Sequence, residues 1–293
     1  MSSTDAVLYD HPGPRAKARN AIMTVLFGIG LLALLYWIYA KFEEKNQWAG
    51  PLWEPFTQST TWVDFILPGL WATVSAAAVA MVLSLVFGIV FAVGRLSEHW
   101  FISIPAGAVV EFFRAVPLLL LMFFIFYGIP FITYQPMSVF WAVVIGLTLY
   151  NGSVLAEAFR AGIRSVPRGQ SEAAYAVGMR KGQVMQHILV PQAARAMLPV
   201  IVSQLVVLVK DTALGYIIGY SELLQMGVNN LGANFGNFVA AAMVAAVIYI
   251  LLNWSLTSLA GYLERRTRRA GKAPGGAAPV GEEAGSAVVE PQG

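Results

Sequence analysis

The stretch GQSEAAYAVGMRKGQVMQHILVPQA runs from Gly169 to Ala193 and lies between two long apolar segments. Ser165 or Ser171 is placed to cap a helix, with Pro167 near a first turn. Glu172 falls early, where a carboxylate suits the positive end of the helix dipole. Ala173 and Val177 are four apart and share a face, with Ala174 beside them. Gly178 interrupts and lets the chain turn without a Cβ penalty. Val184 with Ile188, and Met185 with Leu189, repeat the i,i+4 spacing. Pro191 punctuates the entry to the next apolar run. The pattern predicts two short amphipathic helices with a hinge between them. Taken alone, it fits a helix lying on a membrane surface or a docking element for a water-soluble partner.

The flanks settle the fold class. The chain has 293 residues, of which 57% are hydrophobic and 12% charged. Soluble domains carry about 25% charged residues. Mean hydropathy is +0.64. The apolar runs are too long for barrel strands, so the chain reads as an all-α integral membrane protein. Cysteine is absent, which excludes disulfides and thiolate metal sites. Ala21–Ala40 runs for twenty residues without a charge and ends in the bulky YWIYA. A signal peptide has a shorter core and a small-residue cleavage site, so this segment reads as an uncleaved transmembrane helix. Five further spans are expected, at Gly69–Gly94, Phe101–Gly128, Ser138–Phe159, Ala193–Val209 and Phe238–Leu263.

Basic residues orient them. With a cytoplasmic N-terminus, Arg15, Lys17, Arg19 and Arg95 fall on the cytoplasmic side. So do Arg160, Arg164, Arg168, Arg180, Lys181 and Arg195, and Arg265, Arg266, Arg268, Arg269 and Lys272. The other side keeps Lys41 and Lys45, with Lys210 a further candidate there, and Arg114 lies within a span. Both termini and the 169–193 stretch therefore face the cytoplasm. These clusters flank spans, so topology explains them and nucleic acid is not needed. The outer segment 41–67 carries Trp48, Trp53 and Trp62, suited to the headgroup boundary. Residues 271–293 are dominated by Gly, Ala and Pro and read as disordered.

EAAYAVG followed by ILVPQA resembles the EAA loop of ABC-importer permease subunits. In that family the loop forms a coupling helix that sits in a groove of an ATP-binding-cassette subunit. EFFRAVPLLL (111–120), AEAFRAGIRSVPRGQ (156–170) and LVVLVKDTAL (205–214) resemble the branch importing polar amino acids. The likeness covers roughly residues 65–263 and is greatest to bacterial glutamate-type permeases. It implies the type I ABC-importer permease fold, with a five-helix core and one extra N-terminal transmembrane helix. It divides the chain into a cytoplasmic tail (1–20), the extra helix (21–40), an external loop (41–67) and a permease domain (68–264). The coupling loop would be 164–192, and a basic then disordered tail follows (265–293). Two departures bear on the lining of the path. Ala115-Val116 stands where the branch often has Gly-Thr, and Ser203 where it often has Asn.

The resemblance implies several partners. They are a dimer of ATPases carrying ATP and Mg, a second permease alike or identical, an external solute-binding protein, and the lipid of a bacterial cytoplasmic membrane. The chain itself has no phosphate-cradling G-x-x-x-x-G-K-[ST]; its one Gly-Lys pair is Gly271-Lys272. No cofactor, metal or catalytic constellation is expected on it. The coupling contacts implied are Glu172, Ala173, Ala174 and Gly178, with Arg180 and Lys181 at the rim. A self-sufficient secondary transporter or channel is the alternative; it would need ion-coupling sites, usually in inverted repeats, and none is visible. A membrane enzyme or sensor scaffold lacks a catalytic pattern.

Ionisable residues at membrane depth read as functional by default. Glu111 and Arg114 are three apart, which fits a structural ion pair, or Arg114 lining the path of a carboxylate-bearing solute. Glu157 and Arg160 repeat the spacing near the cytoplasmic boundary and read as a structural pair. Ala193–Val209 is short for a crossing, which predicts a helix that breaks near Lys210, Asp211 and Thr212. Broken helices border solute sites in transporters, so these three are path or gate candidates. Gln204 is a lone amide in an apolar run and contacts either a neighbouring helix or the solute. Glu222 opens an outer Asn- and Gly-rich segment and is a gating candidate. Pro117 and Pro199 are expected to kink their helices.

Overall fold

Each apolar run becomes helix, and there is no strand among the described residues, 13–270, of this computed structural model. The helices are α1 (Pro14–Glu44), α2 (Ser59–Arg95), α3 (Trp100–Ala115), α4 (Leu118–Thr133) and α5 (Val139–Arg164). There follow α6 (Arg168–Ala176), α7 (Lys181–Ile218), α8 (223–235) and α9 (Phe238–Ala270). Of these, α1, α2, α5, α7 and α9 are long and apolar enough to cross a membrane. α3 and α4 qualify only as a pair bent by 101°.

Expected and observed boundaries differ in informative ways. α1 begins at Pro14, so Arg15, Lys17 and Arg19 are its first turns and not a tail. The outer segment 41–67 is largely helical: short turns at Gly50–Trp53 and Glu54–Thr57 lead into α2, which starts at Ser59. The boundary expected at 67/68 therefore falls inside a helix. Phe101–Gly128 is not one straight span. Val116 is extended (φ −80°, ψ 128°), as the residue before a proline tends to be, and the chain turns sharply at Pro117. Pro199, by contrast, lies inside α7 without ending it. The tail expected to be disordered, 271–293, lies outside the described residues.

Pro191 does not separate the second half of the 169–193 stretch from the next span, because α7 runs through it from Lys181. Just before Pro191 the helix widens into a π turn, Val184–Leu189. The same device precedes Pro68 (Trp62–Ile66) and Pro130 (Phe124–Gly128). A proline lacks the N–H for the regular bond and its ring crowds the carbonyl four residues back. A single wider turn relieves both, so the helix continues.

The described residues divide between two compact units. In Thr73–Tyr220 with Ile248–Gly293, α5 is the central helix, with Val143, Leu147, Asn151, Leu155 and Ala156 fully buried. Glycine lets its neighbours close in: a Cβ on Gly152 would stand 2.8 Å from Phe87, and one on Gly162 would stand 2.0 Å from Met197 Sδ. Between helices in lipid, such close packing supplies much of the attraction that hydrophobicity supplies in water.

In the other unit, Met1–Ala72 with Ser221–Val247, α1 has no buried residue. Trp48 stacks on Tyr39 and on Trp53 at its foot. Glu222 is fully buried, and its carboxylate accepts the backbone N–H groups of Leu224 and Gln225, both at 2.8 Å. It caps the start of α8, a structural duty at the position named above as a gating candidate.

Candidate functional site

Helix α6 is nine residues long and starts after Pro167, in a position where a missing N–H costs nothing. Neither predicted serine caps it. Ser165 follows the end of α5, and the Ser171 hydroxyl donates to Arg168 O at 2.8 Å. The far end is tightly made. Gly178 has φ +83°, its N–H donates to Tyr175 O (2.9 Å), and Met179 N–H donates to Ala174 O (3.2 Å). This is a Schellman closure, with glycine in the left-handed position it requires. The chain then enters α7, whose N-cap residue, Arg180, has its N–H held by Gln183 Oε1 at 2.8 Å.

The five coupling candidates divide by burial. Ala174 is 6% exposed and packs α6 back onto its own chain. Glu172, Ala173, Gly178 and Arg180 are exposed. Beside them stand two large side chains that the initial list of contacts omitted, Tyr175 at 48% and Val177 at 77% exposure. Ala173, Tyr175 and Val177 are therefore exposed apolar contacts on α6 and its C-cap, with Glu172 and Arg180 exposed among them. Ala173 and Ala174, read as neighbours on one face, have opposite duties.

The start of α7, just beyond α6, is tied to the α2–α3 turn. Lys181 Nζ lies 2.6 Å from Glu98 Oε1, and that hydrogen bond and charge hold the Glu98 carboxyl below its ordinary range. Three residues earlier, Arg95 is only 10% exposed and reaches two carboxylates, Glu111 on α3 (3.2 Å) and Glu157 on α5 (2.9 Å). The expected Glu111–Arg114 pair is thus replaced: Arg95, arriving from the neighbouring helix, takes Glu111. The Glu157–Arg160 pair is present. Arg95 served only as a topology marker in the sequence; no local spacing reveals that it joins three helices.

The path candidates do not form one cluster. Arg114 is exposed at the end of α3, next to the Pro117 bend. Gln204 is buried and donates through Nε2 to Asn151 Oδ1, while Asn151 Nδ2 donates to Leu147 O (3.1 Å). This amide pair joins α7 to α5, so Gln204 meets a neighbouring helix. Asn151 has the same signal as Gln204, an amide in an apolar run, and was missed. The predicted break at Lys210–Thr212 is a change of winding and not an unwound segment. The α-helical part of α7 ends at Asp211, and tighter 3₁₀ turns continue over Thr212–Ile218. Thr212 is buried and donates to Val209 O at 2.7 Å. Asp211 is half-buried. Lys210 is exposed and borders a cleft of about 430 Å³ with Ala213, Tyr249, Ile250 and Asn253. No cluster of metal-ligating side chains occurs among the described residues.

Comparison with known proteins agrees with this geometry. Residues 84–269 match the family described as "Binding-protein-dependent transport system inner membrane component". The glutamate transport system permease protein GluD of Corynebacterium glutamicum is 47% identical over 227 residues, 75% of this chain and 81% of that protein. The arginine transport system permease protein ArtQ of Bacillus subtilis is 30% identical over 213 residues, 73% of this chain and 97% of its own length. Among solved structures, an amino acid ABC transporter crystallised with histidines superposes with a TM-score of 0.65 at 26% identity, covering 68% of this chain and 92% of that one. A MetNI methionine ABC transporter shares the fold, with a TM-score of 0.61 at 20% identity over 71% and 99% of the two chains. The type I permease fold expected from the sequence is the fold observed. A match over most of the chain, by a family whose fold this bundle shares, makes it a member of the inner membrane components of binding-protein-dependent transport systems.

Proposed function

We propose that this permease serves an ATP-driven importer of polar amino acids, with glutamate the first solute to test. Solute crosses by alternating access, driven by a separate ATPase dimer that binds ATP and Mg. The observation that carries this is the exposed surface of α6 and its cap. Ala173, Tyr175 and Val177 are exposed on a short segment closed by Gly178 and anchored from behind by Ala174. Apolar side chains bared at the water's edge suit a protein partner, and Ala173 and Gly178 let its backbone come close. Closure of the ATPases then shifts the permease between its inward- and outward-open packings, provided the two states differ in contacts with the ATPase.

Polar amino acids as cargo rest on the relatives named above and on two exposed cations. Lys210 borders a cleft at membrane depth, and Arg114 stands exposed beside the Pro117 bend. Either charge would meet a solute carboxylate, and Asp211 next to Lys210 suits an ammonium. The rest of the assembly is a second permease, alike or identical, and an external solute-binding protein. Both termini face the cytoplasm of a bacterial cell in this reading, which the bias of basic residues supports.

The test is reconstitution. The chain, with the ATPase and binding protein of its own organism, is placed in liposomes, and ATP-dependent uptake of labelled glutamate is measured against other amino acids. Replacing residues 172–178 by a flexible linker should abolish uptake and release the ATPase while the bundle stays folded. Uptake by this chain alone, or uptake that survives the replacement, would overturn the proposal.

A further inference from the structure

A groove runs along the cytoplasmic half of the bundle between α2, α5 and α7. It holds about 300 Å³ and is lined without a polar side chain by Leu85, Ile89, Val93, Ile163, Val190 and Ile201, among others. Phe159 and Met197 form its floor, as part of a buried cluster with Ala92, Leu155 and Ala193. Along α7 it extends from Val190 to Ile201. Those twelve residues, eleven steps of 1.5 Å, span about 16 Å. One leaflet, half of a hydrocarbon core about 30 Å thick, has the same depth. A slot of that length, walled by apolar side chains, suits one flexible methylene chain.

Its cytoplasmic end opens into a second cavity of about 390 Å³, with which it shares Val93, Ile163 and Val190. There the lining changes to Ser97, Glu98, His99 and Lys181. The change falls where α2 ends and the basic residues of the cytoplasmic boundary begin, at headgroup depth. The mouth carries both signs: the Lys181 ammonium and the Glu98 carboxylate lie 2.6 Å apart and are partly exposed.

We infer that the groove and its mouth form one binding site for an inner-leaflet phospholipid, with one acyl chain in the slot and a bipolar headgroup over Lys181 and Glu98. Lys181 takes the phosphate, with Ser97 and His99 as hydrogen-bonding neighbours. Glu98 takes a primary ammonium, so phosphatidylethanolamine is preferred over phosphatidylglycerol. Lipid tails gain nothing from hydrophobicity by leaving other lipid. Retention therefore comes from the shape of the slot and from the two charges at its mouth. The choice of leaflet rests on the orientation proposed above. The existence of the site does not.

Photo-crosslinking tests it. The assembled importer is reconstituted in phosphatidylcholine with a trace of phosphatidylethanolamine carrying a diazirine halfway along one acyl chain, and labelled residues are mapped by mass spectrometry. Labelling should concentrate on Ile89, Val93 and Ala194, and exceed that of Phe27, an exposed side chain on α1 that reports ordinary lipid contact. Ala194→Trp or Val93→Trp, each filling the slot, should abolish groove labelling and leave Phe27 unchanged, which also shows that the variant is folded. The phosphatidylglycerol probe should label the groove less, by no more than about fivefold, because solvent screens an exposed ion pair. Glu98→Gln should bring the two probes together. Equal labelling at Phe27 and in the groove means annular lipid only and overturns the inference. So does a groove that lipid never labels because a second copy of the chain covers it.

Discussion

Replacing Gly178 tests how α6 is held. At φ +83° an L-residue is strained by about 1–2 kcal/mol, since its Cβ meets the following carbonyl oxygen. No other atom lies within 4 Å of the Cβ that alanine would add, so that strain is the whole expected cost of Gly178→Ala. The closure at risk is two backbone bonds, Gly178 N–H to Tyr175 O and Met179 N–H to Ala174 O. A penalty of that size lowers the closed population relative to the open one by roughly a factor of 5–30. Amide hydrogen exchange at 178 and 179 should accelerate by the same factor in a segment away from the helical core. Asparagine visits the left-handed region at less cost, and a β-branched residue rarely does. Opening should therefore rise in the order Gly178→Asn, Gly178→Ala, Gly178→Val. If α6 couples the ATPase to the bundle, uptake per ATP hydrolysed by the reconstituted complex should fall in that order. Equal exchange and equal coupling in all three variants would refute the reasoning, because the turn would then not set the position of α6.

Three further outcomes follow from packing and charge. Gln204→Leu leaves the buried Asn151 amide short of a partner and should destabilise the detergent-solubilised protein by about 1–3 kcal/mol in thermal unfolding. Adding Asn151→Leu should restore most of that loss, because an interhelical bond of this kind in membrane averages only about 0.6 kcal/mol. Gly162→Ala drives a Cβ into Met197 and should lower the unfolding temperature, with partial rescue by Met197→Ala, which empties the contested space. The Glu98–Lys181 link should hold at neutral pH and at ordinary carboxylate pKa values. Its contribution exists above that range and is lost only as pH falls through the lowered pKa of Glu98. Exchange protection at 180–184 should follow the same pH course in the wild type and be insensitive to mild acid in Glu98→Gln.

Much of the bundle was legible because long apolar runs and clusters of basic residues are local signals. α5 and the closure at Gly178 needed nothing else. What escaped depends on neighbours. That Arg95 takes Glu111 away from Arg114 follows from the way α2, α3 and α5 pack, which no spacing encodes. Ala173 and Ala174 look alike in sequence, and only the fold decides that one faces out and the other in. Prolines were only partly legible. Pro117 turns the chain by 101°, whereas Pro191 is absorbed by a π turn, and the difference lies in whether the preceding backbone widens or extends.

The chain contains no cysteine, so a single one at Val177 is a unique handle on the outer face of α6. The most direct measurement is its reaction with a membrane-impermeant maleimide in inside-out and right-side-out vesicles, with and without the ATPase. Coupling through α6 predicts fast labelling in inside-out vesicles stripped of ATPase, strong protection once the ATPase is restored, and no labelling from outside. Labelling from the outer side, or a rate in inside-out vesicles that the ATPase leaves unchanged, would contradict it.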